Sequence, residues 1–261
     1  MQERQKDRRL YFQELAATSR KYYIPYIQMY KPITSAMKVL EIGCGDGGNL
    51  LPFSALGRHT VGVDVAECRI RDARIFFREA NARGIFLAED VFALNDFPYL
   101  FDLIICHDVL EHIADKSAFL DRLKNFLTED GIIFLSFPAW QMPFGGHQQI
   151  CRSRIASHLP FIHLLPVPLY TGLLRGCGEK EEAIKELLDI KRTRCTIEQF
   201  RSIALQQGYH IVSQQLYFIN PHYEVKFGLR PRKLSPVLSR IPYLRNFFTT
   251  SCFYILQHCR D

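Results

Sequence analysis

The chain has 261 residues, 48% of them hydrophobic and 23% charged, which excludes a disordered polypeptide and allows one α/β domain with a full core. Its formal charge of +6 arises from 33 basic and 27 acidic residues, with excess at residues 4–9 and 230–233; such runs read as solvated faces and do not establish nucleic-acid binding. The eight cysteines never form C-x-x-C and read as small apolar fillers in a reducing, cytoplasmic setting, and no apolar stretch follows the basic first residues, so no signal peptide is expected.

Residues 10–30 carry Tyr11, Leu15, Tyr22, Tyr23, Ile27 and Tyr30 in a helical pattern interrupted at Pro25, and they mark residues 1–36 as a candidate cap. Strand-like and helix-like segments then alternate: strand 38–43, helix 47–56, strand 60–65, helix 67–83, strands 85–89 and 101–107, helix 116–127 and strand 131–137. Alternation at this spacing predicts right-handed βαβ crossovers and a parallel sheet. The near-continuous apolar runs VLEIG, VGVDV, FDLIICH and IIFLSF are those of strands covered on both faces.

The rhythm breaks over residues 138–195, read as a lid insertion. Within it, residues 155–174 hold no Asp, Glu, Lys or Arg, a length able to span a bilayer, but Pro160, Pro166 and Pro168 argue against a regular spanning helix. The stretch reads as a buried or membrane-surface lid. In residues 196–261 a helix resumes with Thr196 as N-cap, followed by strands 209–219 and 252–257, an antiparallel pair at the sheet edge.

At the turn from the first strand, Gly43, Cys44, Gly45, Asp46, Gly47 and Gly48 supply unusual dihedrals and leave backbone N–H groups for a carboxylate or phosphate. Gly43, Gly45 and Gly48 satisfy G-x-G-x-x-G, with Asp64 about 20 residues on, so a nicotinamide dehydrogenase is one reading. The wider set comprises Glu41, the run Glu89, Asp90 and Val91, and the segment FDLIICHDVLEH; together these resemble class I S-adenosylmethionine-dependent methyltransferases over residues 37–137. The resemblance implies an α/β Rossmann-like fold with a mostly parallel seven-stranded sheet in order 3-2-1-4-5-7-6. It implies that Glu41 belongs to the cofactor site and that Gly43, Cys44 and Gly45 lie under the methionine. It also implies that Asp64 holds the ribose hydroxyls, that Val65 packs on the adenine, that Asp90 and Val91 hold its edge, and that His107 lies near the sulfonium. Asp64 and Asp90 as turn acceptors, and His107 as a satisfied interior histidine, are the plainer alternatives.

Two constellations suit the chemistry of a methyl transfer to an alcohol, which must lose a proton. Asp108, Glu111 and His112 stand at i, i+3 and i+4 and share one face if the segment is helical. The resemblance to ubiquinone-pathway O-methyltransferases implies a divalent cation on two acids and a histidine here, although Asp108 is short for it and a structural role is the alternative. His147, in FGGHQQ, is the leading base candidate, with a loop histidine satisfied by backbone as its alternative; His112 is the second candidate. The lid residues Trp140, Phe144, Phe161, Ile162, Leu164 and Leu165 suit a partly apolar acceptor, or simple packing. The expectation is an enzyme that O-methylates a small-molecule, saccharide or lipid-linked acceptor, with no nucleic-acid partner and peripheral membrane contact through residues 155–174. A methyltransferase-like scaffold without catalysis is the remaining alternative.

Overall fold

The computed structural model describes residues 7–95 and 97–258; Arg4 and Lys6 of the basic run, and Cys259, lie outside the described residues. Helix α1 (Arg8–Thr18) is capped by Asp7, whose carboxylate accepts from the Leu10 amide. The interruption expected at Pro25 is a π-helical turn, Ser19–Tyr23, that runs straight into α2 (Ile24–Gln28). Proline has no N–H to continue the ladder, so the turn widens and the cap stays one bent unit.

The alternation then follows the sequence: β1 (Lys38–Ile42), α3 (Leu51–Ala55), β2 (His59–Asp64), α4 (Glu67–Glu79), β3 (Ile85–Ala88), β4 (Phe101–His107), α5 (Lys116–Lys124) and β5 (Leu127–Phe137). β5 begins earlier than its apolar run because Leu127 pairs with Phe101 across a register shift. The lid holds α6 (Arg154–His158), α7 (Val167–Gly176) and α8 (Glu181–Thr193), and α9 (Ile197–Gln206) starts on Thr196, whose hydroxyl accepts from the Gln199 amide at 3.1 Å. The remaining elements are β6 (Tyr209–Ile219), α10 (His222–Phe227), β7 (Arg232–Lys233), α11 (Pro236–Ser239) and β8 (Ser251–His258).

The sheet order is β3-β2-β1-β4-β5-β8-β6-β7. β1 to β5 pair in parallel, and β8 runs antiparallel between β5 and β6. Without the two-residue β7 this is the order that the family resemblance implies; β7 adds an eighth, edge strand through a register shift after Tyr217.

Strand alternation feeds two cores. Leu40, Ile42, Ile104, Cys106, Ile133 and Leu135 face one side with Phe119 of α5 and Phe200 of α9. Val39, Leu103, Ile105, Phe134 and Phe253 face the other, under α4 and the cap residues Phe12, Tyr23 and Tyr26. Tyr23 packs on Phe134 and Phe253 with ring centroids 5.2 and 5.4 Å away, which fixes the cap over β5 and β8. A separate small core joins Tyr170 and Leu174 of α7 to Ile184 and Leu187 of α8, so the lid packs on itself. Its prolines break residues 155–174 into short helices, and among the described residues no helix is long and apolar enough to cross a membrane.

Candidate active site

The chain leaves β1 through a turn in which Gly43 and Gly45 hold φ of +70° and +50°. A Cβ on Gly43 would meet Val109 Cγ2 at 2.2 Å, so the loop after β4 closes directly onto this turn. Gly48 serves another contact: its Cβ would meet the Phe12 carbonyl oxygen at 2.6 Å, because α1 lies against it.

Four of the six amides of this loop are not free for a phosphate, as their position had suggested. Gly43 and Cys44 both donate to the Val63 carbonyl (2.8 and 3.0 Å), Gly47 donates to the Cys44 carbonyl (2.8 Å) and Gly45 donates to Asp64 Oδ2 (2.8 Å). Donors committed within the chain cannot cradle a pyrophosphate, which weakens the dinucleotide reading. Cys44 turns its thiol inward, within 2.7 Å of where a Gly62 Cβ would stand, so only its backbone can face a ligand.

Asp64 at the end of β2 also accepts from the Ala66 amide through Oδ1 (2.8 Å). Both oxygens are held in place with lone pairs to spare, as paired hydroxyl recognition requires. Beside it opens a cavity of about 450 Å³ lined by Gly43, Asp64, Val65, Asp90 and Val91, with Asp108, Val109 and His112 on the β4 side. Val65 is 72% exposed and Phe92 46%, two apolar walls for a flat ring. Asp90 accepts from the Phe92 amide at 3.0 Å, a turn that presents the next residues to the cavity.

Two expected ligand contacts, Glu41 and His107, are absent from the lining of the cavity. Glu41 is fully buried and accepts from Asn49 Nδ2 at 2.8 Å, while its second oxygen has no partner; burial lifts its pKa from 4.5 to about 8. It ties β1 to the loop and stays protonated at neutral pH. His107, almost fully buried, shares a 2.6 Å hydrogen bond between Nε2 and the Tyr23 hydroxyl, so it anchors the cap. Asp46 is enclosed by Arg8 of α1 and Arg69 of α4, which shows that this part of the basic terminal run is an internal clamp and not a solvated face.

The acid and histidine cluster is also rearranged. The segment after β4 is not a continuous helix: Asp108 takes φ +53° and only Leu110–His112 form a 3-10 turn. Asp108 therefore turns toward His107 Nδ1 (3.6 Å) and leaves the cluster. Its place is taken by His147, and the ligand atoms of Glu111, His112 and His147 lie within 4.8 Å of one another. His147 Nε2 is 3.8 Å from Glu111 Oε1, and its ring meets that of His112 edge to face at 5.3 Å. The paired glycines explain this placement, because a Cβ on Gly145 would strike the Trp140 carbonyl and one on Gly146 the His163 side chain, both at 2.2 Å. Tight packing there forces His147 into φ +57°.

Burial raises the Glu111 carboxyl well above its usual range, and neither of its oxygens has a hydrogen-bond partner. His147 keeps 28% of its side chain open, yet burial and then the neighbouring His112 press its pKa down to about 4. A second groove, of about 460 Å³, opens against α8, and His112 lines both spaces. Trp140 and Ile162 are packed inside the lid, Trp140 edge-on to His163 at 4.6 Å, and so are structural.

A methyltransferase domain model matches residues 8–163, more than half of the chain. The chain belongs to the class I S-adenosylmethionine-dependent methyltransferase family. It is 32% identical over 164 residues to a ubiquinone biosynthesis O-methyltransferase of Glaesserella parasuis, covering 58% of this chain and 67% of that one. A Bartonella quintana protein of the same name is 31% identical over 121 residues, 44% of this chain, and the chain spans about half (49%) of its length. Two solved structures have the same fold. The plantazolicin methyltransferase, in complex with a triazolic desmethylplantazolicin analogue and S-adenosylhomocysteine, has TM-score 0.56 and 14% identity, with 95% of this chain and 86% of that one covered. The magnesium protoporphyrin IX methyltransferase of Synechocystis PCC 6803, with bound S-adenosylhomocysteine, has TM-score 0.54 and 16% identity, with 99% and 88% covered.

Within this methyltransferase fold, sequence reasoning passed over Tyr23, Phe92, Asn49 and Arg8 as functional supports. Phe92 extends the Glu89-to-Val91 motif and was within reach; the partners of His107, Glu41 and Asp46 come from distant segments and carry no local signal.

A folded-state pKa above the unfolded one makes Glu41 cost stability as pH rises from about 4.5 to about 8, since the folded protein then holds a proton that the unfolded chain releases. Glu41→Gln, which keeps the Asn49 contact, should be nearly neutral at pH 5 and more stable than the native chain at pH 8.5. Urea denaturation at both pH values checks this; an equal difference at each would contradict the burial of an ionisable Glu41.

Proposed function

We propose that this protein transfers a methyl group from S-adenosylmethionine to a hydroxyl of a small, partly apolar acceptor, of the lipid-linked kind. The observation that carries the cofactor reading is the Asp64 carboxylate, fixed by the Gly45 and Ala66 amides at the mouth of a cavity where the Gly43, Cys44, Gly45 and Gly47 amides are already spent. Asp64 takes the ribose hydroxyls, Val65 and Phe92 flank adenine, and Asp90 with the Val91 backbone reads its edge. Asp108, Gly43 and Val109 then border the methionine end. The ubiquinone biosynthesis relatives support oxygen as the methylated atom.

An acceptor in the groove against α8 would present its hydroxyl past His112 to the sulfonium. The oxygen lone pair attacks the methyl carbon, the carbon–sulfur bond breaks with its electrons returning to sulfur, and the hydroxyl proton passes to His147 Nε2. Glu111 Oε1 lies 3.8 Å from that nitrogen and faces the imidazolium that forms. The face of residues 155–174 brings the enzyme to the membrane that holds such an acceptor.

A second reading of the cluster rests on the two unpartnered oxygens of buried Glu111. Glu111, His112 and His147 offer one carboxylate and two imidazoles, a set that suits Zn²⁺ or Mn²⁺ and fits better than the set containing Asp108. A metal held there would lower the pKa of the acceptor hydroxyl.

Titration calorimetry with S-adenosylmethionine, S-adenosylhomocysteine and NAD should give a Kd of ~1–100 μM for the methyl cofactors only, weakened at least about tenfold in Asp64→Ala, as expected for loss of a charge-assisted hydrogen-bond pair. NAD binding in their place would end the methyltransferase reading. His147→Ala should reduce turnover about 10²-fold or more while cofactor affinity is kept. With a His147 pKa near 4, the acid limb of kcat/KM should fall below pH 5; a limb at the ordinary histidine value would contradict the buried base. Calorimetry with Zn²⁺ and Mn²⁺ alone decides the second reading: binding lost in Glu111→Gln and kept in Asp108→Asn supports it, and no binding removes it.

A further inference from the structure

The lid as far as the end of α7 and the second insertion, between β6 and β8, share a charge pattern that the rest of the chain lacks. Residues 131–178 and 225–260 contain no Asp or Glu and ten Lys or Arg, whereas the remainder carries 23 basic against 27 acidic residues. These two segments also hold a concentration of exposed large apolar side chains. From the lid come Ile155 (69% exposed), Leu159, Phe161, Val167 and Leu169 (62%). From the second insertion come Val237 (72%), Ile241, Tyr243 (67%), Leu244, Phe247 and Phe248. The two sets meet where the Phe161 and Phe247 rings lie 6.4 Å apart.

Tyr243 is held outward at φ +62°, a strained conformation for a bulky residue. The backbone there is fixed from below: Glu198 of α9 accepts from the Tyr243 amide and from Arg245 Nε, both at 2.9 Å. α7 divides its residues similarly, with Tyr170 and Leu174 buried against α8 while Val167 and Leu169 face out. The exposed guanidinium groups of Arg152, Arg154 and Arg240 have no ion-pair partner among the described residues. A soluble monomer rarely exposes this many large apolar side chains on adjoining segments, and a rim of unpaired guanidinium groups selects what covers them.

We infer that the lid and the 236–248 segment together form one docking surface for an anionic lipid bilayer. The inference deepens the proposed membrane contact of residues 155–174 and rests on it, adding the second insertion and the sign of the lipid charge. Apolar side chains from both segments enter the headgroup boundary, and the unpaired arginines sit at phosphate level. The acceptor then reaches the active site from the lipid side, since α7 and α8 share the lid core and α8 borders the groove beside His112.

The test is co-sedimentation of the full chain with vesicles of phosphatidylcholine alone or with 30% phosphatidylglycerol, in low and high salt. The expected result is binding to the anionic vesicles only, reduced by salt, and weakened about fivefold for each of Arg154→Ser and Arg240→Ser. Ile155→Ser/Leu169→Ser and Val237→Ser/Tyr243→Ser should each abolish it without lowering Tm, because these side chains are exposed. Loss in the first pair alone would overturn the joint surface while leaving the lid contact standing; loss in neither overturns both. Equal binding to neutral vesicles overturns the charge assignment. A dimer in vesicle-free buffer that the same pairs dissolve would assign the face to a second copy and overturn the inference.

Discussion

The site depends on a constraint of parallel sheets. β1 and β4 are neighbours, but the chain leaves β1 toward β2 on one side and β4 toward β5 on the other. Connections that diverge cannot cover the strand ends between them, so a crevice opens at the carboxyl edge. Gly43 marks its floor, where Val109 from the β4 loop comes so close that no Cβ would fit. Asp64 stands one strand away and Asp90 just beyond β3, so acids far apart in the chain line one cavity.

Around that crevice, buried polar groups divide into two kinds. Glu41 with Asn49, Asp46 with Arg8 and Arg69, and His107 with Tyr23 are buried groups given partners, which limits the cost of removing them from water and locks the loop and cap. Glu111 is the exception, with a buried carboxyl lacking any hydrogen-bond partner and two imidazoles beside it. Burying such a group costs stability, and its place against His112, which lines both cavities, ties that cost to chemistry.

The insertions follow a different logic from the sheet. The sheet core is satisfied on both faces and needs no partner, while the lid builds its own small core and turns other apolar residues outward. Keeping acids out of residues 131–178 and 225–260 leaves a molecule with an uneven charge distribution despite its ordinary composition.

The sequence by itself determined the strand and helix alternation, the glycine turn, the roles open to Asp64 and Asp90, and the broken character of residues 155–174. Those features are written in local periodicity, glycine and proline positions, and short motifs, which act within a few residues of chain. Only the tertiary structure decided that His107 and Glu41 are absent from the lining of the cavity, that Asp108 leaves the acid and histidine cluster and His147 enters it, and that the two insertions touch. Each of these depends on segments tens of residues apart: Tyr23 reaching β4, the Gly145 and Gly146 packing that swings His147 to Glu111, and Phe161 meeting Phe247. Local preference cannot encode such meetings, because they are set by how elements pack once the sheet has formed.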